Sequence, residues 1–497
     1  MSDRRPALRR GLAAAILLTA LPLQAGAQDQ PLSASDWLSG SVRGPVRESS
    51  AWRPGDARPP VRKGPRPSPV AESGTVGAVS VTRLDHGNPD ATGTQSPRRA
   101  GLPFDLWSGS DSATLARMVL ETPARLQSMQ GLLSRVLTAQ LAAPDQPADD
   151  AQGQLFLARA DRLLDMGALD DAQGLLLAAG PGEPEIFRRM FDIALLEGDE
   201  SRACAIMNGT PGIAPSFAAR IFCLAQTGDW SAAAVSLHGA EMLGLIEERE
   251  AVLLTHFLDD AYVDSPDTLA PPQNLSPLEF RIFEAIGQPL PTTPLPVAFA
   301  QSDLRLNSGF KARLEAAERL ARAGALSPAR LRHIYGEQPP AASGGVWDRA
   351  EALADLDAAL AAGDHGAALI RCAEVFRAAG MADILAGMIA ADLPEPPAHA
   401  MDEASETARL LRQWQGLSEA PLPAPPADLT AQIPPAPAAR KGEELLTAMA
   451  DIDAAIEGDM ARAAKGIAML IALGLPEDAA RARRQIILLD SIGTERP

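Results

Sequence analysis

The 497-residue sequence predicts an all-α fold made of repeated helical hairpins, and three observations carry that prediction. A glycine-centred turn recurs at Gly167, Gly198 and Gly228, each between two stretches with helical apolar rhythm. The composition is 46% hydrophobic but only 4% aromatic, with alanine and leucine, the strong helix formers, dominating. Segments that are β-branched and alternate apolar with polar, the signature of strands, are scarce.

The order of elements begins with an export signal. Arg4, Arg5, Arg9 and Arg10 form a positive region, Gly11 to Leu21 is apolar, and Ala25-Gly26-Ala27 has the small residues that a signal peptidase needs. The apolar run is shorter than the roughly 20 residues that span a bilayer. Cleavage is therefore expected after Ala27, leaving Gln28 as the new terminus, with Ala25 and Ala27 as the small positions. No later stretch is apolar enough to cross a membrane, so the mature chain is expected in the periplasm. The domain boundaries expected are a signal peptide over 1–27, a disordered Pro/Gly/Arg-rich segment over 28–110, a helical-repeat solenoid over 111–420, a Pro/Ala-rich linker over 421–440 and a C-terminal helical unit over 441–497.

Residues 28–110 are poor in apolar side chains, so burial there offsets little chain entropy. Within them Arg43, Arg47, Arg53, Arg58, Arg62, Lys63 and Arg66 stand against Glu48 and Asp56, among prolines that favour an extended chain. The basic stretch 43–66 is either a peripheral contact with an anionic envelope surface or an inert spacer. From residue 111 onward the chain is strongly acidic within a whole-chain formal charge of -18. Phosphate binding needs a basic surface, so nucleic acid is not an expected partner.

Helices are expected from Asp111 or Ser112, either of which can be the cap, through Leu120, and from Ala124 to Ala142. The turn region then shows a fixed pattern. Phe156, Phe187 and Phe217 stand eleven residues before the turn glycines, Ala172, Ala203 and Ala233 five after, and Leu176, Met207 and Leu237 nine after. Glycine tolerates the left-handed helix end, an Asp or Ser after it can cap the next helix, and alanine lets two helices cross closely. This pattern resembles a shortened, degenerate tetratricopeptide array over about residues 153–246, with glycines 30 or 31 residues apart. The resemblance implies an α-solenoid that binds proteins on the concave face of its first helices. On that analogy Gln154, Asp161, Arg188, Asp192 and Gln226 would face a partner.

Later segments repeat the rhythm. Helices are expected over 250–262, 277–286, 310–322, 347–361 and 367–379, with a further repeat turn at Gly363. Prolines at 421–437 mark the linker. Three helices, over 443–457, 459–473 and 476–491, are expected to form a loosely joined terminal cap.

Three cysteines in an oxidising compartment leave one unpaired at least. Cys204 and Cys223 fall on helices expected to be neighbours, so a disulfide between them is geometrically allowed; three buried thiols is the other reading. Cys372 lies on an apolar helix face. The six histidines show no zinc spacing, and no phosphate-binding loop or nucleophile elbow is present. No cofactor, metal or catalytic residue is therefore expected. The sequence supports a periplasmic, non-catalytic scaffold or adaptor that binds other proteins. The alternative is a peptidoglycan-binding or peptidoglycan-processing envelope protein, although no segment resembles the lysozyme-like domain that such enzymes need.

Overall fold

A computed structural model describes residues 37–38, 88–145, 152–210, 212–259, 268–429, 435 and 439–493. The expected cleavage site at Ala25, Ala27 and Gln28 and the basic stretch 43–66 lie outside the described residues. Among the described residues the fold is all-α, with no strand and one isolated parallel bridge between Gln95 and Ala139. In chain order the helices are α1 (Pro97–Ala100), α2 (Ser112–Glu121), α3 (Gln127–Thr138), α4 (Gln154–Asp165), α5 (Leu169–Ala179), α6 (Pro184–Glu197) and α7 (Glu200–Gly209). They continue with α8 (Phe217–Gln226), α9 (Trp230–Met242), α10 (Glu248–Leu258), α11 (Pro277–Ala285), α12 (Ala300–Asp303), α13 (Phe310–Arg322) and α14 (Pro328–Tyr335). The last are α15 (Val346–Ala362), α16 (Gly366–Ala378), α17 (Ala382–Ile389), α18 (Glu403–Gln415), α19 (Lys441–Asp453), α20 (Met460–Ala472) and α21 (Pro476–Ile492).

The repeat chemistry acts where the sequence places it. Gly167, Gly198, Gly228 and Gly363 all have left-handed backbone, with φ of 77°, 81°, 88° and 79°. Gly167 has a second constraint: a Cβ there would sit 2.8 Å from Leu320 and 2.9 Å from Val297, so neither backbone nor neighbours admit a side chain. Ala172, Ala203 and Ala233 are buried at the crossings, and Leu176, Met207 and Leu237 are buried beyond them. Capping after the glycine is less regular. Asp229 accepts the Ala232 N–H, but Asp199 makes no such bond.

The order begins earlier than residue 111, which corrects the expected disordered segment. Residues 88–110 are folded, with Ala100, Leu102, Leu106 and Trp107 buried. The physical reason is local: the few apolar side chains of that segment gather at its end, and Asp90 supplies a cap that α4 lacks. The N-cap of α4 is Gly153, which has no side chain to offer. The Asp90 carboxylate instead accepts the N–H groups of Gly153 (3.2 Å) and Phe156 (2.8 Å) and the Ser112 hydroxyl (2.8 Å). Arg159, fully buried, donates to four carbonyls, at Leu137 (2.8 Å), Asp90 (3.2 Å), Thr92 (2.9 Å) and Ala139 (2.8 Å). It thereby pins 90–92 and the end of α3 onto α4. Burial pushes its guanidinium down to about 10, opposed by the charge of Asp90.

The C-terminal helices are not a loose cap either. Leu445, Leu446, Met449, Ile452 and Ile467 belong to the same apolar core as α2 to α10. Asp453 accepts both the backbone N–H and the Nε of Arg125, each at 2.6 Å. Arg135 pairs with Asp478 at 2.5 Å, and Gln485 accepts the Ser128 N–H at 2.9 Å. Ile486 of α21 lies in that first core, while Leu488 and Ile492 lie in a second core formed by α13 to α18. One helix therefore stitches the two cores, and the last elements pack on the first. Within the expected linker Leu429 is buried and its carbonyl accepts from Arg483, while the other described linker residues are mostly exposed.

Candidate functional site

The surface expected to meet a partner is, for the most part, interior. Asp161, Arg188 and Asp192 are all fully buried, which corrects their assignment to an outward face. Gln154 is half-buried and Gln226 is exposed. The cause is the returning chain: α11 and α12 pack back onto α6, and the Val297–Phe299 turn packs onto α4, filling the concavity that an open array would leave. What fills it is a charge network. Arg189 straddles Asp161 with bonds of 2.5 Å and 2.8 Å and also donates to the Glu185 carbonyl and carboxylate. Arg188 reaches the same Glu185 carboxylate at 3.1 Å. Buried charges of this kind are held by pairing and are poor candidates for ligand contact.

The segment over the hairpin ends is fastened by side chains. Gln301 donates to the Gly167 carbonyl (2.6 Å) and Ser302 to the Leu196 carbonyl (2.8 Å). Trp37 and Leu38, distant in sequence, are buried beside it. Near these ends burial pushes the Asp165 carboxyl up to about 6 and the Glu197 carboxyl up to about 7, the latter helped by the charges of Asp170 and Asp199.

The third hairpin is different. A Cβ at Gly228 would meet nothing within 4 Å, so no returning segment covers this turn. Helix α9 is apolar on nearly every side, and such a helix belongs in an interior. It nonetheless leaves Trp230 49%, Val235 74% and Met242 74% exposed, with Leu243 and Leu245 continuing past its end and Val252 on α10. Trp230 leans on Phe257, which stacks on Phe222, while Val235 and Met242, seven residues apart, lie further round the helix on the outward side with Ser231, His238 and Glu241. Its surroundings are acidic. Between 229 and 259 Asp229, Glu241, Glu247, Glu248, Glu250 and Asp259 stand against Arg249 alone. A cleft of about 160 Å³ adjoins α10, lined by Val252, Leu253, Leu269 and Phe283, with Arg249 and Glu279 paired across it at 2.9 Å.

A disulfide holds this hairpin to its predecessor: Cys204 of α7 is bonded to Cys223 of α8, with Cα atoms 5.0 Å apart. Cys372 is a free thiol in the second core, and burial pushes it up to about 12. The six carboxylates around α9 were readable in the sequence, but the exposure of its apolar face was not.

The described residues define an all-helical protein of repeat-like architecture. Comparison with known protein families, curated proteins and solved structures finds no match for this chain. Among the described residues no helix is long and apolar enough to cross a membrane, and no group of three or more His, Cys, Asp or Glu is placed to hold a metal ion.

Proposed function

We propose that this chain is an exported, non-catalytic scaffold: an α-solenoid of tetratricopeptide-like hairpins that binds another protein through the outer face of α9. The observation that carries this reading is the exposure of Val235 and Met242 on the outward side of α9 among the described residues, with Trp230 half-exposed at the start of the helix against Phe257. Large apolar side chains exposed among polar ones are a common feature of interaction sites. The acidic surroundings favour a partner segment that is amphipathic and flanked by Lys or Arg, and the cleft beside Val252 offers room for one aliphatic side chain.

Export to the periplasm is part of the proposal. The arginine-led apolar stretch before Ala27 supports it, and the Cys204–Cys223 bond fits an oxidising compartment. The basic stretch 43–66 would then contact the anionic envelope surface.

A photo-crosslinking residue placed at Val235 tests the binding face, with the same residue at the exposed Leu306 as control. The expected result is an adduct specific to Val235, lost in a Trp230→Glu variant and weakened by salt. The adduct's partner segment should be apolar and flanked by basic residues. Equal labelling at both positions would sink the assignment. Clearing of murein by the purified protein would reject the non-catalytic part.

A further inference from the structure

Trp37 and Leu38 reach the folded body from across a stretch of sequence with little apolar content. The next described residue is Asn88. Chain continuity therefore does little to place them; their own fit to the body does. Trp37 is 6% exposed, and its ring meets Phe299 edge-on at 5.7 Å, while Phe299 meets Phe280 edge-on at 5.3 Å. The indole N–H of Trp37 points to the Asp165 carboxylate at 3.4 Å. Leu38 is equally buried beside it. The receiving surface is built independently of this dipeptide. Phe299 is held by the Gln301 and Ser302 bonds to α4 and α6, Phe280 by α11, and Asp165 by the last turn of α4.

A buried aromatic side chain set edge-on against a ring that is itself backed by a second, with its N–H directed at an acceptor on the rim, is how an anchor residue of a docked peptide sits. We propose that the surface formed by Asp165 and Phe299, with Phe280 behind Phe299, is a recognition site for peptides carrying Trp followed by an aliphatic residue, occupied in cis by Trp37 and Leu38. A segment that belongs to the same chain is presented at an effective concentration set by the length of the connection, so a cis occupant competes with any peptide of the same chemistry. This site is separate from the α9 face, and failure of either leaves the other standing.

The test uses the full chain and a fluorescent peptide of residues 32–41, Leu-Ser-Ala-Ser-Asp-Trp-Leu-Ser-Gly-Ser. The Trp37→Ala chain is expected to fold, to bind this peptide and to ignore the same peptide carrying Trp37→Ala. The native chain should bind it about tenfold more weakly, or less still, because its own copy competes. Asp165→Asn in the Trp37→Ala chain should weaken binding several-fold. Equal binding by native and Trp37→Ala chains, or none by either, would overturn the proposal. So would an unfolded Trp37→Ala chain, since Trp37 would then be core instead of occupant. A native chain that is dimeric by light scattering and becomes monomeric with Trp37→Ala would overturn occupancy in cis.

Discussion

Arg189 grips Asp161 across 28 residues of sequence with two bonds, Nε to Oδ1 at 2.5 Å and Nη2 to Oδ2 at 2.8 Å, and neither side chain is exposed at all. The pair ties the inner face of α4 to that of α6. Removing one partner strands the other charge in a dry interior. Asp161→Ala is expected to cost about 3–5 kcal/mol, read as a shift in the urea midpoint. Replacing both residues with leucine and methionine should recover most of that loss. A small effect of Asp161→Ala alone would mean that water reaches the pair.

The closure of the chain predicts cooperative loss of both ends. Asp453 is fully buried and satisfies two donors of Arg125, one of them backbone. Asp453→Ala should cost about 2 kcal/mol or more, because it leaves those donors unmatched. Amide exchange should then rise in α2 and α3 together with α19. Faster exchange confined to α19, α20 and α21 would show that the C-terminal helices are independent after all.

Thiol chemistry should separate the two kinds of cysteine. With the disulfide intact, a thiol reagent is expected to find no reactive group in the native protein. After unfolding without reductant it should find one, Cys372, and after reduction all three. Cys204→Ala should lower stability by about 2–4 kcal/mol, since the bond closes a loop with a sequence separation of 19. That loss should appear first in α7, α8 and α9, the elements that present the apolar face.

Stability should also fall with rising pH through the range of Glu197. Burial, with Asp170 and Asp199 nearby, raises this carboxyl from 4.5 to about 7. A raised carboxyl favours the folded state while it is protonated. Its contribution is complete below the unfolded value and is lost as pH passes the folded one. The melting temperature of native protein should therefore drop relative to Glu197→Gln between about pH 5 and about pH 8. Asp165, raised to about 6, should add a drop of the same sign in a lower range. A difference that stays flat across that interval would contradict the burial of Glu197.

The helices themselves were largely legible. The segment Phe310–Arg322 has the bounds its rhythm predicts, and the turn glycines adopt the left-handed conformation that only glycine accepts readily. Five helices were not anticipated, α1 and α12, of four residues each, and α14, α17 and α18. Of the last three, α14 and α17 are only eight residues long, too few for a period to show. The folding of 88–110 was hidden because it rests on Asp90 capping a helix that starts more than sixty residues later.

Local chemistry, then, determined everything that depends on a few neighbouring residues: all-helical structure, where the hairpins turn, and which alanines and leucines face inward. Only the tertiary structure decided which charged faces are covered, because covering depends on segments that return from far along the chain. Asp161, Arg188 and Asp192 read as an outward face until α11 and α12 are laid over α6, and α9 reads as core until its Val235 and Met242 are found exposed among the described residues. Periodicity specifies the side of a helix, but what that side meets is settled by packing between distant elements.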